Sequence, residues 1–342
     1  MSGSFFYVQY IKFRRDLQDK FCEIFLKDAG GKSIIIGAAN DKDCEESYMG
    51  KFDGMLLVSD YDNTFQYTES ALEAGGAKAV PPLPARNLEA VERWIAGGGR
   101  FAIATGRALG AFREQSRKIP INAPVIVDNG GGLYDLAEER YVLRRLLPDG
   151  ALEDLAAVED AFPGTSMELY LVGDRICALH PTQQNIHHAK LTGLGFQEIP
   201  ALNTETVPAP LAKALFIAEM PQLMRLREFM VQQGWEARYE MIYSSDHLME
   251  LTARGADKGA MARELKTITG CGTLICIGDH ANDLPMLQAA DLAFAPANAI
   301  EAVRTAPGVT TVCHCLEGAV ADVVERVEST RPCGSGGPCL KN

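Results

Sequence analysis

Four short polar motifs each follow, or stand at the start of, a predicted buried element of this 342-residue chain. They are Asp60-Tyr61-Asp62-Asn63-Thr64, Thr105-Gly106-Arg107, the single Lys258, and Gly278-Asp279-His280-Ala281-Asn282-Asp283. Taken alone, each has an ordinary explanation as an Asx-turn or helix cap, a tight turn, or a solvated lysine. Together they fall at the carboxyl ends of strands, where open α/β sheets bind their ligands. The joint pattern therefore favours one functional site.

The residue types in these motifs suit phosphoryl-group chemistry. A carboxylate can attack phosphorus and form an aspartyl-phosphate, which divides one difficult hydrolysis into two easier steps. Because an attacking carboxylate and a phosphate dianion repel each other, cations must lie between them. Mg²⁺ suits this task, since it prefers octahedral oxygen coordination by one or two carboxylates, the substrate phosphate and waters. Asp60, at the tip of the first buried strand, is the candidate nucleophile.

Alternating strands and helices must position these motifs. The predicted strands are Met55–Ser59, Phe101–Ala104, Pro124–Val127, Thr273–Ile277, Leu292–Phe294 and Val309–Val312. The predicted helices between them are Asn87–Ile95, a helix ending at Lys118, Lys258–Thr269, Leu284–Ala289 and Gly318–Val327. Short apolar strands that alternate with helices predict an α/β fold, with a doubly wound parallel sheet covered on both faces.

The domain organisation is predicted to be discontinuous. The sequence pattern of residues 136–252 predicts strands, then helices, then further strands, and Val172-Gly173-Asp174 indicates a hairpin. This order predicts an inserted α+β domain. The core domain is then 55–135 together with 253–328. Residues 1–54 form an extension that we expect to be dispensable, and the Gly/Pro/Ser-rich tail 329–342 is expected to be disordered. Within the extension, the spacing predicts a helix over 13–28 and a strand over 32–41.

The chain resembles the haloacid dehalogenase superfamily, and within it the Cof-type phosphatases that carry a large inserted cap. The resemblance extends over residues 55–327 and rests on the segments LLVSDYDNTF, FAIATGR, VIVDNGG, ELTARGADKG and IGDHANDLPML. It implies a core with a Rossmann-like parallel sheet, the domain 136–252 as the cap, and an enzyme that hydrolyses phosphoric monoesters. The set of motifs is specific for the superfamily and does not encode the substrate.

The resemblance also implies roles for individual residues. Asp60 is the expected nucleophile, and Asp62 is placed to protonate the leaving alkoxide and later to deprotonate water. The expected phosphate-binding residues are Thr105, Gly106, Lys258 and Asn282. The expected ligands of Mg²⁺ are Asp60, the backbone carbonyl of Asp62, and Asp279, with Asp283 acting through water or as an orienting group.

Several residues near the motifs have less definite roles. Asn63 stands where the family commonly has Gly, and Asn tolerates the left-handed backbone that such a loop needs. Thr64 is expected to support the loop. His280 is expected to face solvent. For Arg107, a surface ion pair and a phosphate contact are equally favoured.

Composition excludes several other classes of protein. The 33 basic and 45 acidic residues give a net charge of −12, and no basic stripe of the kind that binds nucleic acid is visible. No window reaches the roughly 18 consecutive apolar residues of a membrane helix, and no secretory signal is recognisable. The nine cysteines have no framework spacing, and those near Cys313 match no standard zinc site. We therefore expect a cytoplasmic protein that binds neither nucleic acid nor membranes.

The function expected from these observations is Mg²⁺-dependent hydrolysis of small phosphorylated metabolites, such as sugar phosphates, through an aspartyl-phosphate. One alternative is a phosphomutase or phosphotransferase, which would pass the same phosphoryl group to a sugar. A second is a binding protein that keeps the fold without turnover, but such a protein would lack a carboxylate or the lysine, and this chain has them all. The sequence does not indicate the oligomeric state.

Overall fold

A computed structural model describes residues 21–27, 33–40, 50–68, 80–173, 175–208 and 210–330. The chain divides into two compact units, 1–51 and 52–342. In the first unit, strand β1 (Phe21–Lys27) pairs antiparallel with strand β2 (Ser33–Asn40). The strand predicted over 32–41 is confirmed. The helix predicted over 13–28 is wrong for 21–27, where aromatic and β-branched residues favour pairing with β2, and 13–20 lie outside the described residues.

The second unit contains the remaining strands and all described helices. Its strands are β3 (Met55–Asp60), β4 (Arg100–Ala104), β5 (Val125–Val127), β6 (Gly132–Asp135), β7 (Arg140–Arg144), β8 (Ser166–Leu171), β9 (Arg175–Leu179), β10 (Gln197–Ile199), β11 (Leu211–Ile217), β12 (Tyr239–Ser245), β13 (Leu248–Ala253), β14 (Thr273–Ile277), β15 (Leu292–Pro296) and β16 (Val309–Val312). Its α-helices are α1 (Ala85–Ala96), α2 (Leu109–Ser116), α3 (Ala151–Ala161), α4 (Gln183–Thr192), α5 (Met220–Gln232), α6 (Lys258–Thr269), α7 (Leu284–Ala289), α8 (Glu301–Arg304) and α9 (Ala319–Thr330).

The larger sheet of this unit has eight strands in the order β16-β15-β14-β3-β4-β5-β6-β7. The strands from β16 to β5 are parallel, and β6 and β7 extend the β5 edge in antiparallel pairing. Leu57 faces a buried cluster that includes Trp94 of α1 and Val324 of α9, whereas Leu56 faces a second cluster that includes Leu265 of α6. Helices thus cover both faces, and the predicted doubly wound α/β fold is confirmed.

A second sheet lies between β7 and α6 in the sequence. Its six strands are ordered β10-β9-β8-β11-β13-β12, and α3 and α5 pack on one of its faces. We call residues 151–253 the inserted region. The other face of this sheet carries Tyr170 and Leu215, which belong to a separate cluster with Ala108 at the start of α2. The inserted region therefore covers the ends of the core strands with this second face.

The domain limits given above stay a prediction, and two observations bear on them. Strand β7 falls inside the range 136–252, yet it pairs with β6 in the larger sheet, so membership of the second sheet begins after Arg144. Helix α9 ends at Thr330, and residues 331–342 of the predicted tail lie outside the described residues. In the part of the chain that the structure describes, no helix is long and apolar enough to cross a membrane.

Candidate active site

The ends of neighbouring strands bring the predicted acidic residues together. Asp60 is the last residue of β3, and β14, which ends two residues before Asp279, pairs with β3 in parallel, with Ile277 opposite Ser59. Lys258 is the first residue of α6, where the side chain of Asp257 caps the helix by accepting a hydrogen bond from the amide of Ala260. Three sequence-distant motifs thus meet at one edge of the sheet.

Lys258 joins two of these carboxylates. Its Nζ donates to Oδ1 of Asp60 at 2.5 Å and to Oδ1 of Asp283 at 2.7 Å. All three side chains are buried, and an unpaired charge at such depth would be costly. Burial alone would lower the pKa of Lys258, but Asp283 and Asp60 hold it above its ordinary value. The lysine is therefore a fixed positive charge beside the candidate nucleophile.

Asp60, Asp279 and Asp283 form a buried group that can hold a metal ion. One oxygen from each lies within 4.8 Å of the others. Burial raises the pKa of Asp60 to about 7, with Lys258 opposing and Asp283 and Asp62 adding to the shift. Burial and the negative charges of Asp60 and Asp283 raise the pKa of Asp279 well above its ordinary value. Three buried carboxylates facing one lysine carry excess negative charge, so the donor set fits a hard divalent cation.

Asp283 and Thr64 orient this group. Oδ2 of Asp283 accepts hydrogen bonds from the backbone amides of Asp279 and His280 in its own loop. Its Oδ1 accepts a hydrogen bond from Lys258 of α6, so both carboxylate oxygens have partners. The Thr64 hydroxyl donates to Oδ1 of Asp279 at 3.0 Å. Asp60 and Asp279 are therefore the better direct ligands, and Asp283 fits an orienting part.

Arg107 and Asp62 form a bidentate ion pair. Nε and Nη2 of Arg107 donate to the two carboxylate oxygens of Asp62 at 2.8 and 2.6 Å. Burial would raise the pKa of Asp62, but Arg107 outweighs it and holds that pKa below its ordinary value. Of the two possibilities for Arg107, the structure shows an ion pair, and that pair is part of the site. Asn63, the next residue, has a φ of 57°, as its type predicted.

The loop after β4 carries the predicted phosphate-binding pair. Thr105 is buried, and its Oγ1 accepts a hydrogen bond from the amide of Arg107 at 3.1 Å, which leaves the hydroxyl hydrogen available. Gly106 packs closely against Asn129. A Cβ atom at position 106 would come within 2.9 Å of the Asn129 amide nitrogen, so a larger residue would not fit without a shift. The backbone of this loop can therefore approach an anion closely.

Asn282 is held by another asparagine of the core. Its Nδ2 donates to Oδ1 of Asn129 at 2.9 Å, and no hydrogen bond joins it to Asp60 among the described residues. Asn129 in turn donates to Oε1 of Glu250 on β13 at 2.7 Å. Lys213 of β11 donates to Oε2 of Glu250 at 2.8 Å and to the carbonyl of Gly106 at 2.9 Å. These bonds tie the inserted region to the loop after β4.

A cavity of about 740 Å³ lies between the two sheets. Asp60, Asp62, Asp279 and Asn282 line it from the core, together with Gly106 and Arg107. His280 also lines it and is only partly exposed, so the expectation of a solvent-facing histidine is wrong; the strand β12 of the inserted region packs near this loop. The inserted region contributes residues that sequence reasoning did not select, among them Lys213 and Glu250, together with His188.

Comparisons with known proteins point to one family. The family model of the haloacid dehalogenase-like hydrolases matches residues 78–324. The YxeH protein of Bacillus subtilis is 32% identical over 268 residues, which are 76% of this chain and 90% of that protein. The HMP-PP phosphatase of Cronobacter sakazakii is 27% identical over 230 residues, which are 66% of this chain and 81% of that protein. A haloacid dehalogenase-like hydrolase of Bacteroides thetaiotaomicron has a similar solved fold, with a TM-score of 0.64, 23% identity, and coverage of 81% of this chain and 99% of that one.

Proposed function

The chain belongs to the haloacid dehalogenase-like hydrolases and is a phosphatase, and we propose that it hydrolyses small phosphorylated metabolites such as sugar phosphates through an aspartyl-phosphate on Asp60. The observation that carries this proposal is the buried contact of Asp60 with Lys258, with Asp60 and Asp279 both lining one cavity. The relative named as an HMP-PP phosphatase also supports a small phosphorylated substrate.

Two carboxylates have complementary roles in the proposed reaction. Oδ2 of Asp60 accepts no hydrogen bond from another described residue, so it is free to attack phosphorus while Lys258 holds Oδ1. The bond from phosphorus to the leaving oxygen breaks, and Asp62 gives that oxygen a proton. Asp62 then takes a proton from the water that hydrolyses the aspartyl-phosphate. Because Arg107 keeps Asp62 ionised, Asp62 must loosen its pair with Arg107 and take up a proton from water before it can act as the acid.

Positive and polar groups would bind the phosphoryl oxygens. Lys258 lies next to Asp60, and the hydroxyl of Thr105 with the amide of Gly106 belongs to the adjoining strand end. We keep Asn282 in this group through the second hydrogen of its Nδ2, since the first is donated to Asn129 and the residue lines the cavity. Such preorganised donors stabilise the charge that spreads over the phosphoryl oxygens in the transition state.

We propose Mg²⁺ as the metal that this site takes. Asp60, Asp279 and the carbonyl of Asp62 would be its protein ligands, and Asp283 would orient them. When bound, Mg²⁺ supplies positive charge that offsets the repulsion between the attacking carboxylate and the phosphate. All these donors are oxygen atoms, which suits a hard cation rather than zinc.

The inserted region is proposed to act as a cap. Because it covers the carboxyl ends of the core strands, it would exclude bulk water from the reacting phosphate and contact the leaving group. A cavity of about 740 Å³ is within the usual size range of small-molecule sites.

The test of this proposal is turnover of p-nitrophenyl phosphate by wild type, Asp60→Asn and Asp53→Asn, the last being a nearby carboxylate outside the site. Wild type and Asp53→Asn should release phosphate in the presence of Mg²⁺, and chelation should abolish the activity until Mg²⁺ is restored. Asp60→Asn should be inactive. Retained activity in Asp60→Asn would refute the assignment of the nucleophile.

The rival reaction is transfer of the phosphoryl group to a second sugar. It uses the same aspartyl-phosphate and differs only in the acceptor, so it is separated by measuring released phosphate against sugar-phosphate isomerisation in one reaction mixture.

We propose a cytoplasmic location with no nucleic-acid or membrane partner, which cell fractionation would test.

A further inference from the structure

We propose that His188 recognises a hydroxyl group on the leaving group of the substrate, and that Glu168 fixes the imidazole in the tautomer this requires. The inference rests on the proposed phosphatase function. Both residues belong to the inserted region: Glu168 is on β8 and His188 is on α4. His188 lines the same cavity as Asp60 and contributes to it from the inserted region.

The backbone sets the orientation of the Asn185 side-chain amide. Its Oδ1 accepts a hydrogen bond from the amide of Thr182 at 2.7 Å and another from the hydroxyl of Ser166 at 2.7 Å. A backbone amide can only donate, so the atom facing it must be the carbonyl oxygen of Asn185. The NH₂ group of Asn185 therefore points the other way, where it donates to Oε1 of Glu168 at 3.1 Å.

Glu168 is consequently surrounded by donors. Its Oε2 accepts from the hydroxyl of Tyr170 at 3.0 Å and lies 3.0 Å from Nδ1 of His188. Burial would raise the pKa of Glu168, but hydrogen bonds from His188, Tyr170 and Asn185 hold it below its ordinary value. Glu168 is thus an ionised carboxylate, which accepts hydrogen bonds and donates none. The proton shared with His188 must therefore be on Nδ1.

This leaves Nε2 of His188 for a ligand. In the neutral Nδ1–H tautomer, Nε2 carries a lone pair and accepts a hydrogen bond. Among the residues that the structure describes, no group occupies Nε2. A second hydrogen-bonding atom on the same cavity, Oγ of Ser244 on β12, is buried and also has no partner there.

The surface around these two atoms suits a hydroxylated carbon skeleton. Leu215, Ile217 and Leu248 lie on the cavity face of the second sheet, so they offer apolar contact to C–H groups. The two buried glutamates nearby are already paired, since Glu250 is bound by Lys213 and Asn129, and Glu168 by its own three donors. The free polar atoms, an acceptor at His188 and a hydroxyl at Ser244, match the hydroxyl groups of a sugar or polyol monophosphate.

The tautomer can be tested on the protein without substrate. Nitrogen-15 NMR of the histidine rings should show His188 protonated at Nδ1 in wild type. In Glu168→Gln, the amide can donate to Nδ1, and His188 should move to the Nε2–H form. His188 protonated at Nε2 in wild type would overturn the positioning role of Glu168.

Recognition is tested by kinetics with matched probes. His188→Asn retains an amide that can donate to Glu168 and removes the imidazole nitrogen Nε2. The control is His180→Asn, since His180 is an exposed histidine of the inserted region that does not line the cavity. The probes are glucose 6-phosphate, ribose 5-phosphate and glycerol 3-phosphate, against phenyl phosphate, whose leaving group has one oxygen and no further hydroxyl.

His188→Asn should lower kcat/KM about tenfold for at least one hydroxylated probe, as expected for one lost hydrogen bond, while kcat/KM for phenyl phosphate changes less than twofold. Glu168→Gln should lower kcat/KM for the same hydroxylated probe and leave kcat/KM for phenyl phosphate nearly unchanged. The double variant Glu168→Gln with His188→Asn should have a kcat/KM no lower than that of His188→Asn. Equal effects of His188→Asn on all probes, or no wild-type preference for the hydroxylated probes over phenyl phosphate, would each overturn the inference. If wild type hydrolyses no probe, including p-nitrophenyl phosphate, the proposed function itself has failed, and the NMR result still decides the tautomer.

Discussion

Lys213→Met should destabilise the protein severely, although Lys213 is remote from the reacting carboxylates in sequence and contacts none of them. The ammonium is buried between Glu250 at 2.8 Å and the carbonyl of Gly106 at 2.9 Å, and it lies 4.6 Å from the centre of the Tyr170 ring. Burial alone would lower the pKa of Lys213, but Glu250 and Asp128 hold it above its ordinary value, so the group is charged in the folded protein.

The magnitude follows from what the substitution leaves behind. Methionine fills a similar volume, but Glu250 stays buried with only Asn129 as a donor. Removing one partner of a buried ion pair costs about 3–5 kcal/mol, because the other charge is left uncompensated. Replacing both, in Lys213→Met with Glu250→Met, removes that charge, so the double variant should be more stable than Lys213→Met by about 2–4 kcal/mol.

The assay is urea unfolding followed by tryptophan fluorescence. Trp94 lies in α1 of the core and Trp235 in the inserted region, so the two tryptophans report on both parts. Lys190→Met is the matched control, an exposed lysine of the inserted region, and it should change the free energy of unfolding by less than about 0.5 kcal/mol. A cost below about 1 kcal/mol for Lys213→Met would refute the reasoning, as would a double variant no more stable than the single one.

Three further predictions concern charge. Arg107→Met should move the alkaline limb of the kcat/KM profile to higher pH, because Asp62 must be protonated in the first chemical step and the guanidinium holds its pKa down; an unchanged limb, as expected for the control Arg113→Met, would contradict this. Glu168→Gln should lower the free energy of unfolding above about pH 4.5, the ordinary pKa of Glu, and this loss should shrink as the pH falls through the lowered pKa of the folded state, since wild type then loses its ionised carboxylate. Urea unfolding of both proteins from pH 3 to pH 7 measures the difference in free energy. A difference that grows toward acidic pH would contradict the prediction. Asp279→Asn should weaken activation by Mg²⁺ at least tenfold, measured as the Mg²⁺ concentration for half-maximal activity, whereas an unchanged value would remove Asp279 from the ligand set.

The core and its motifs were predictable because their signals are local. Short buried strands followed by a polar residue gave the positions of β3, β4 and β14, and the ends of α6 and α7 agree with the structure to the residue. Parallel pairing then places these strand ends side by side, so Asp60 and Asp279 meet without any long-range information.

The sequence could not indicate which charged residues pair across the fold. Lys213 and Glu250 sit in strands with ordinary alternation, and only the register of β11 and β13 brings them together near Gly106. From the sequence, Arg107 could equally have contacted phosphate or a carboxylate. The fold brings it to Asp62, with which it forms an ion pair. Helix α4, which carries His188, was not predicted because its apolar periodicity is weak; the Thr182 cap, with Asn185 at the third helical position, was the local signal available.

The edge strands β6 and β7 were missed for a similar reason. They are short, and their pairing is antiparallel, while the rest of the larger sheet is parallel. Buried helix–strand alternation predicts the parallel part of such a sheet and carries no information about an edge hairpin.

The central claim is that Asp60 carries the phosphoryl group during turnover. Wild type should be mixed with p-nitrophenyl phosphate and Mg²⁺, quenched in acid within milliseconds, and digested with trypsin, and the peptide between Lys51 and Lys78 should be examined by mass spectrometry. We expect a mass gain of one phosphoryl group, localised by fragmentation to Asp60, formed and lost at rates that match turnover, and absent from Asp60→Asn. A phosphoryl group on Asp62 or on another residue, or full turnover with no phosphorylated peptide at any quench time, would contradict the account.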